Sequence, residues 1–146
     1  MSQTLNMYQS VGSSAFSHMA CQLAPYFSTI NPEISLLTPG RAEVKVPFRK
    51  EITNHLASVH AIALCNAAEL AGGMMTEVSI PGGARWIPKG MSVEYLAKAK
   101  TAIHAIADGS QIDWISSGDK SVPVSIFDEA GVTVFTARIT MNVKID

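Results

Sequence analysis

Cysteine is scarce in this sequence: two residues, Cys21 and Cys65, among 146. They form no CxxC and stand in no Cys/His cluster at metal-ligand spacing, which argues against a zinc site. Both lie in apolar, helix-like surroundings, as buried free thiols do in a reducing compartment. Charge is thin as well. Asp, Glu, Lys and Arg make up 16% of the chain, the formal net charge is −1, and no run of Lys or Arg exceeds two. Nucleic-acid binding and polybasic membrane attachment therefore have no electrostatic support. No apolar run reaches the roughly 18 to 20 residues a membrane span needs. The opening MSQTLNMYQSVGSS is polar and lacks the basic n-region of a signal peptide. Repeats, linkers and low-complexity tracts are missing too. What remains is a 47% apolar globular chain, long enough for one domain with a real core, expected in the cytoplasm.

The stretch around which this domain is organised runs from Asn54 to Thr76. From His60 onward it is rich in helix formers and almost wholly apolar, with only Asn66 and Glu69 interrupting before Gly72. A helix apolar all round belongs in the middle of a domain. It nevertheless keeps a carboxylate, Glu69, where desolvation should be costly. The spacing places this central helix at about 58–77. An earlier amphipathic helix is expected at about 7–24, with Val11, Ala15, Phe16, Met19, Ala20 and Leu23 on its packed face and Pro25 as its stop.

Period-two patterns fill the rest. Ile34–Leu37, a Thr38-Pro39-Gly40 turn and alternation from Arg41 to Phe48 read as a hairpin. After Pro81-Gly82-Gly83, strands are expected from Met91, over Thr101–Ala107, over Val122–Phe127 and from Phe135 to Ile145. The last two are joined by an Asp128–Gly131 turn, and Ser116-Ser117-Gly118-Asp119 reads as a loop. Short turns imply antiparallel neighbours. One such sheet and one helix apolar all round suggest an α+β domain, residues 1–146, whose sheet curls around the helix. A second copy of the chain would cover the helix's remaining side.

This layout resembles the hotdog fold, and the helix entrance resembles that of acyl-CoA thioesterases of the phenylacetate-pathway and THEM type. That family's motif is an Asn or Gln, a His-Gly-Gly six residues on, and an Asp or Glu nine residues after the His. Asn54, His60 and Glu69 reproduce those spacings. The wording VHAIALCNAAELAGG is most similar to a thioesterase-like branch of unassigned function. One departure stands out: His-Gly-Gly is His60-Ala61-Ile62 here. Alanine keeps the backbone N–H, so an oxyanion hole at a helix N-terminus survives, though its methyl group narrows the approach.

The resemblance implies catalytic roles for Glu69, Asn54, His60 and Ala61. A thioester carbonyl would accept from the Ala61 N–H, and Glu69 would activate water or attack the carbonyl itself. Asn54 would orient water or substrate, and His60 would support the thioester oxygen or the loop. Glu69 could equally be a structural interface acid, His60 a packed helix-start residue and Asn54 a turn cap. No metal or bound cofactor is implied; coenzyme A is part of the substrate. Helix geometry adds a constraint of its own. Nine residues place Glu69 about 180° around the helix from His60 and about 13 Å along it. One chain cannot easily unite them, but two antiparallel central helices in a homodimer can; a dimer of dimers is left open. Arg49, Lys50, Arg85 and Lys89 flank the helix ends and are candidates for coenzyme A phosphates. Two other readings compete: a non-catalytic acyl or acyl-CoA binding protein, favoured by Ala61-Ile62, and a 3-hydroxyacyl thioester dehydratase, in which His55 would pair with Glu69.

Overall fold

The computed structural model describes residues 2–146. At the N-terminus, two helices replace the single one expected at 7–24: α1, Gln3–Val11, and α2, Ser13–Leu23. The Ser2 hydroxyl accepts from the Leu5 N–H at 2.9 Å and so caps α1. Gly12 breaks the run with φ 85° and ψ 170°, a region only glycine enters without strain. The break turns α2 back far enough for Phe16 to pack edge-on against Tyr8, ring centres 5.2 Å apart. A 3-10 turn at Pro25–Ile30 then leads to the sheet.

The sheet has six antiparallel strands: β1 Glu33–Thr38, β2 Arg41–Val46, β3 Arg85–Tyr95, β4 Ile103–Asp108, β5 Gly118–Asp128 and β6 Thr133–Lys144. Both expected hairpin turns are present, with Gly40 and Gly131 at φ 83°. Two strand starts differ most from the sequence reading. β3 begins at Arg85, six residues before the first clear alternation, and tolerates Pro88 through an irregularity beside its pairing with Met141. β5 begins at Gly118, inside the segment that reads as a loop, because Gly118 and Asp119 pair with Val143 and Asn142.

The central helix α3 spans Ala61–Ser79 and packs against all six strands, α1 and the 3-10 turn. Ala67, Ala68, Ala71 and Gly72 are buried along it, and their small size lets the helix lie close to the sheet. A Cβ on Gly72 would come within 3.0 Å of Ile139 Cδ1. The layout is the α+β hotdog arrangement, a long central helix against an antiparallel sheet. The expectation that the sheet curls around that helix is overturned.

Strand order is β1-β2-β4-β5-β6-β3, so β1 and β3 are the two edges of an open sheet and do not pair. The reason is width. Six strands at about 4.8 Å span about 29 Å, roughly half the circumference of about 60 Å at about 10 Å from a helix axis. The part of α3 that the sheet leaves free is covered only in part by the N-terminal segments. An uncovered stripe remains, with Ile62 and Glu69 exposed on α3. Beside it lies edge strand β3. Met91 and Tyr95 stand opposite the buried Ile139 and Phe135 and share their core-facing side, yet both are exposed. Glu69 thus escapes burial within one chain.

The Gly12 break is testable. Gly12→Ala should lower unfolding stability by about 1–3 kcal/mol, the usual strain of a side chain in this backbone region, read by urea denaturation. An unchanged midpoint would show that the backbone there relaxes freely.

Candidate active site

The entrance to α3 is built from residues 50–60. A short 3-10 turn at Lys50–Ile52 feeds a tight loop closed by a Thr53–Val59 bridge. Asn54 organises it. Its Oδ1 accepts from the Leu56 N–H at 2.9 Å, the Ser58 N–H at 3.2 Å and the Ser58 hydroxyl at 3.1 Å. That tight turn forces Ala57 to φ 59°, a left-handed conformation alanine rarely adopts. The loop is then pinned on both sides: the Val59 N–H donates to Ala99 O and the His60 N–H to Ile52 O, each at 2.8 Å.

His60 is the N-cap of α3. Its Nδ1 accepts from the Ile62 N–H at 3.0 Å and its carbonyl from the Leu64 N–H at 3.2 Å. An Nδ1 that accepts leaves the neutral ring's proton on Nε2. Two N–H groups at this helix end, those of Ala61 and Ala63, meet no acceptor among the described residues, and that of Ala61 is the first in the helix. It stands at the positive end of the helix dipole, where a partial negative charge is favoured.

Two cavities flank this point. One, of about 290 Å³, is lined by Asn54, Ser58, Ala61, Tyr95 and Lys98. The other, of about 170 Å³, is lined by His60, Asn66, Thr29 and Thr53, with Tyr26 and Glu51. Asn54 and Ala61 therefore share a cavity, and His60 faces a different one. Glu69 joins neither. It is exposed on the uncovered stripe, without a hydrogen bond or ion pair among the described residues. Eight residues put it about 12 Å along the axis from Ala61.

Between them on α3 lies Cys65, whose thiol meets the Tyr95 hydroxyl at 3.6 Å. That contact, helped by burial, raises the Tyr95 phenol above its ordinary range. No group of three His, Cys, Asp or Glu among the described residues could hold a metal, and no helix is long and apolar enough to cross a membrane.

Of the cations singled out by sequence, Arg85 is paired with Asp146 and Lys89 with Asp119. Arg49 donates to Thr29 O at 2.7 Å. Lys98, which sequence reading passed over, lines the Ala61 cavity. The only hint of it was its place in the short link after β3. Tyr95, near the end of β3, lines the same cavity.

The family described as a domain of unknown function, DUF4442, matches residues 12–143. A crystal structure of a genomics target is 56% identical over 97% of this chain and 96% of its own, with a TM-score of 0.90. A Pseudomonas aeruginosa protein described as a probable thioesterase is 22% identical over 88% of this chain and 92% of its own, TM-score 0.78. The E. coli PaaI protein, from the phenylacetic acid degradation operon, is 15% identical over 89% and 91%, TM-score 0.75. At these two lower identities the likeness is one of fold. No curated protein matches the sequence.

The loop's dependence on Asn54 gives a prediction. Asn54→Ala leaves three donors without their acceptor and should cost about 1–3 kcal/mol of unfolding stability, whereas Asn54→Asp keeps the acceptor and most of the stability. Equal losses from both, measured by thermal and urea denaturation, would contradict a turn-organising role.

Proposed function

We propose, from the premise that this chain belongs to the DUF4442 family and shares its hotdog fold with thioesterases, that it hydrolyses an acyl-CoA thioester to the free acid and coenzyme A. The observation that carries this reading is the unpartnered Ala61 N–H, at a helix N-terminus and beside a cavity. In the reaction the thioester carbonyl oxygen accepts from that N–H. Negative charge building on the oxygen is met by the N–H and the helix dipole.

Glu69 of a second copy supplies the base. It takes a proton from water as the water oxygen bonds to the carbonyl carbon. Collapse of the intermediate breaks the carbon–sulfur bond, and the proton passes to the departing thiolate. Direct attack by the Glu69 carboxylate, giving an anhydride that water then opens, uses the same geometry. Asn54 shapes the cavity wall and His60 holds the helix start in register. Lys98, at the Ala61 cavity, suits the anionic coenzyme A arm.

The second copy is required because Ala61 and Glu69 lie about 12 Å apart on one helix. Its natural seat is the uncovered stripe with Ile62, Met91 and Tyr95 and the free edge of β3. Exposed apolar side chains beside an unpaired strand edge favour association of this kind. A non-catalytic acyl-CoA binder is the competing reading, favoured by the Ala61 methyl group at the cavity wall.

Glu69→Gln should lower kcat by about 10²-fold or more in a thiol-release assay over a panel of acyl-CoAs, with the fold unchanged. A wild-type rate would remove Glu69 from the mechanism. Light scattering at micromolar concentration should find a dimer or a larger assembly, and Met91→Asp with Tyr95→Asp should shift it toward monomer. A wild-type monomer would contradict the shared site.

A further inference from the structure

Asn66 is a buried polar residue whose chemistry nothing so far has used. It is buried on α3, with 8% of its surface exposed. Its Nδ2 donates to the Thr29 hydroxyl oxygen at 3.2 Å. The Thr29 hydroxyl in turn donates its only proton to Tyr26 O at 2.8 Å. Thr29 can therefore only accept from Asn66, which fixes the orientation of the amide: the NH2 faces Thr29 and Oδ1 faces away. That oxygen is buried and has no donor among the described residues. A buried amide oxygen without a donor costs about 1–3 kcal/mol, so its retention needs a cause.

The cause lies beside it. Asn66 lines the 170 Å³ cavity together with Tyr26, Thr29, Glu51, Thr53 and His60. The volume is that of about six water molecules at about 30 Å³ each, enough for a short chain or small ring. Charge separates it from the neighbouring cavity. The Ala61 cavity has Lys98 in its wall, whereas the charge lining this one, Glu51, is already answered by Arg49 at 3.9 Å. A phosphate-bearing arm is therefore favoured on the Lys98 side. A thioester bound at the Ala61 N–H sends two arms outward, and the two cavities lie on either side of that point.

Resting on the thioester-hydrolase reading, we infer that the His60–Asn66 cavity is the acyl subsite, and that Asn66 Oδ1 selects a short acyl group carrying an O–H or N–H donor. Such a donor satisfies the orphan oxygen, whereas an all-hydrocarbon acyl group covers it and leaves the penalty in place.

The test uses matched acyl-CoAs: butyryl against 3-hydroxybutyryl, and hexanoyl against 6-hydroxyhexanoyl, which place the hydroxyl at two distances from the carbonyl. Wild type should favour a hydroxylated member by about tenfold or more in kcat/KM, and Asn66→Ala should bring the ratio between the two members to about one. Should Asn66→Ala not fold, Ala63, which also lines this cavity from α3, offers a second variant: Ala63→Val should depress the hexanoyl pair more than acetyl-CoA. No hydroxyl preference in wild type, or an Asn66→Ala loss equal on both members, would overturn the inference. If no thioester is hydrolysed, calorimetry with the matched non-hydrolysable thioether analogues separates the two claims. Preferential binding of the hydroxylated analogue that depends on Asn66 upholds the subsite and sinks only the hydrolase reading; equal binding sinks the subsite. A co-crystal structure with only water on Asn66 Oδ1 would also overturn it.

Discussion

A helix is a rigid ruler, and the rest of this protein depends on that. Ala61 at the start of α3 and Glu69 two turns later are held about 12 Å apart by hydrogen bonds that no local adjustment can shorten. One chain holds both the free N–H and the free carboxylate and keeps them apart. Any chemistry that uses both must bring a second helix alongside. The open sheet provides for this, since six strands are too few to enclose α3 and leave Ile62, Glu69, Met91 and Tyr95 on one uncovered face. Enclosure would have made a more self-sufficient chain and would have buried the acid. The open edge instead leaves the acid exposed to water in the single chain.

The entrance loop shows a second trade. Its backbone carries Ala57 at positive φ, a local strain offset by three hydrogen bonds to Asn54 Oδ1 and by two backbone bonds to Ala99 and Ile52. The result is a fixed start for α3, with His60 closing one helix amide and Ala61 left open. The first amides of any helix lack partners within it. Here the Ala61 and Ala63 N–H groups stay free on residues that line the two cavities, and Asn66 Oδ1 is free little more than one turn further on. All three are unspent hydrogen-bonding groups near a concave surface, the arrangement expected of a binding site rather than of a packed core.

Much of this was legible in the residues. The apolar run after His60 marked the central helix, the alternation from Phe135 to Ile145 marked β6, and Asp128–Gly131 marked a hairpin turn. Turn chemistry at Gly12 was not read as a break because the apolar spacing of 7–24 continues through it, although the glycine's backbone does not. Gly118 and Asp119 looked like a loop because strand pairing is decided by a partner, Val143 and Asn142, that lies far along the chain. Curling was the larger misreading: periodicity counts strands but carries no measure of sheet width. At the site, the spacing of Asn54, His60 and Glu69 could be read, yet the separation of Ala61 and His60 into different cavities could not. Asn66 was visible as a polar interruption; that its oxygen lacks a partner follows only from the position of Thr29, 37 residues earlier.

A site made from two chains can be restored by mixing subunits that each lack a different half of it. Ala61→Pro removes the free N–H while placing proline at the first helical position, where it is well tolerated. Glu69→Gln removes the base. Each homodimer should be nearly inactive on the preferred acyl-CoA. Unfolded and refolded together in equal amounts, half the dimers should be mixed, each with one intact site, restoring about a quarter of the wild-type rate. No recovery from mixed dimers whose formation is confirmed by mass spectrometry would contradict a site shared between chains.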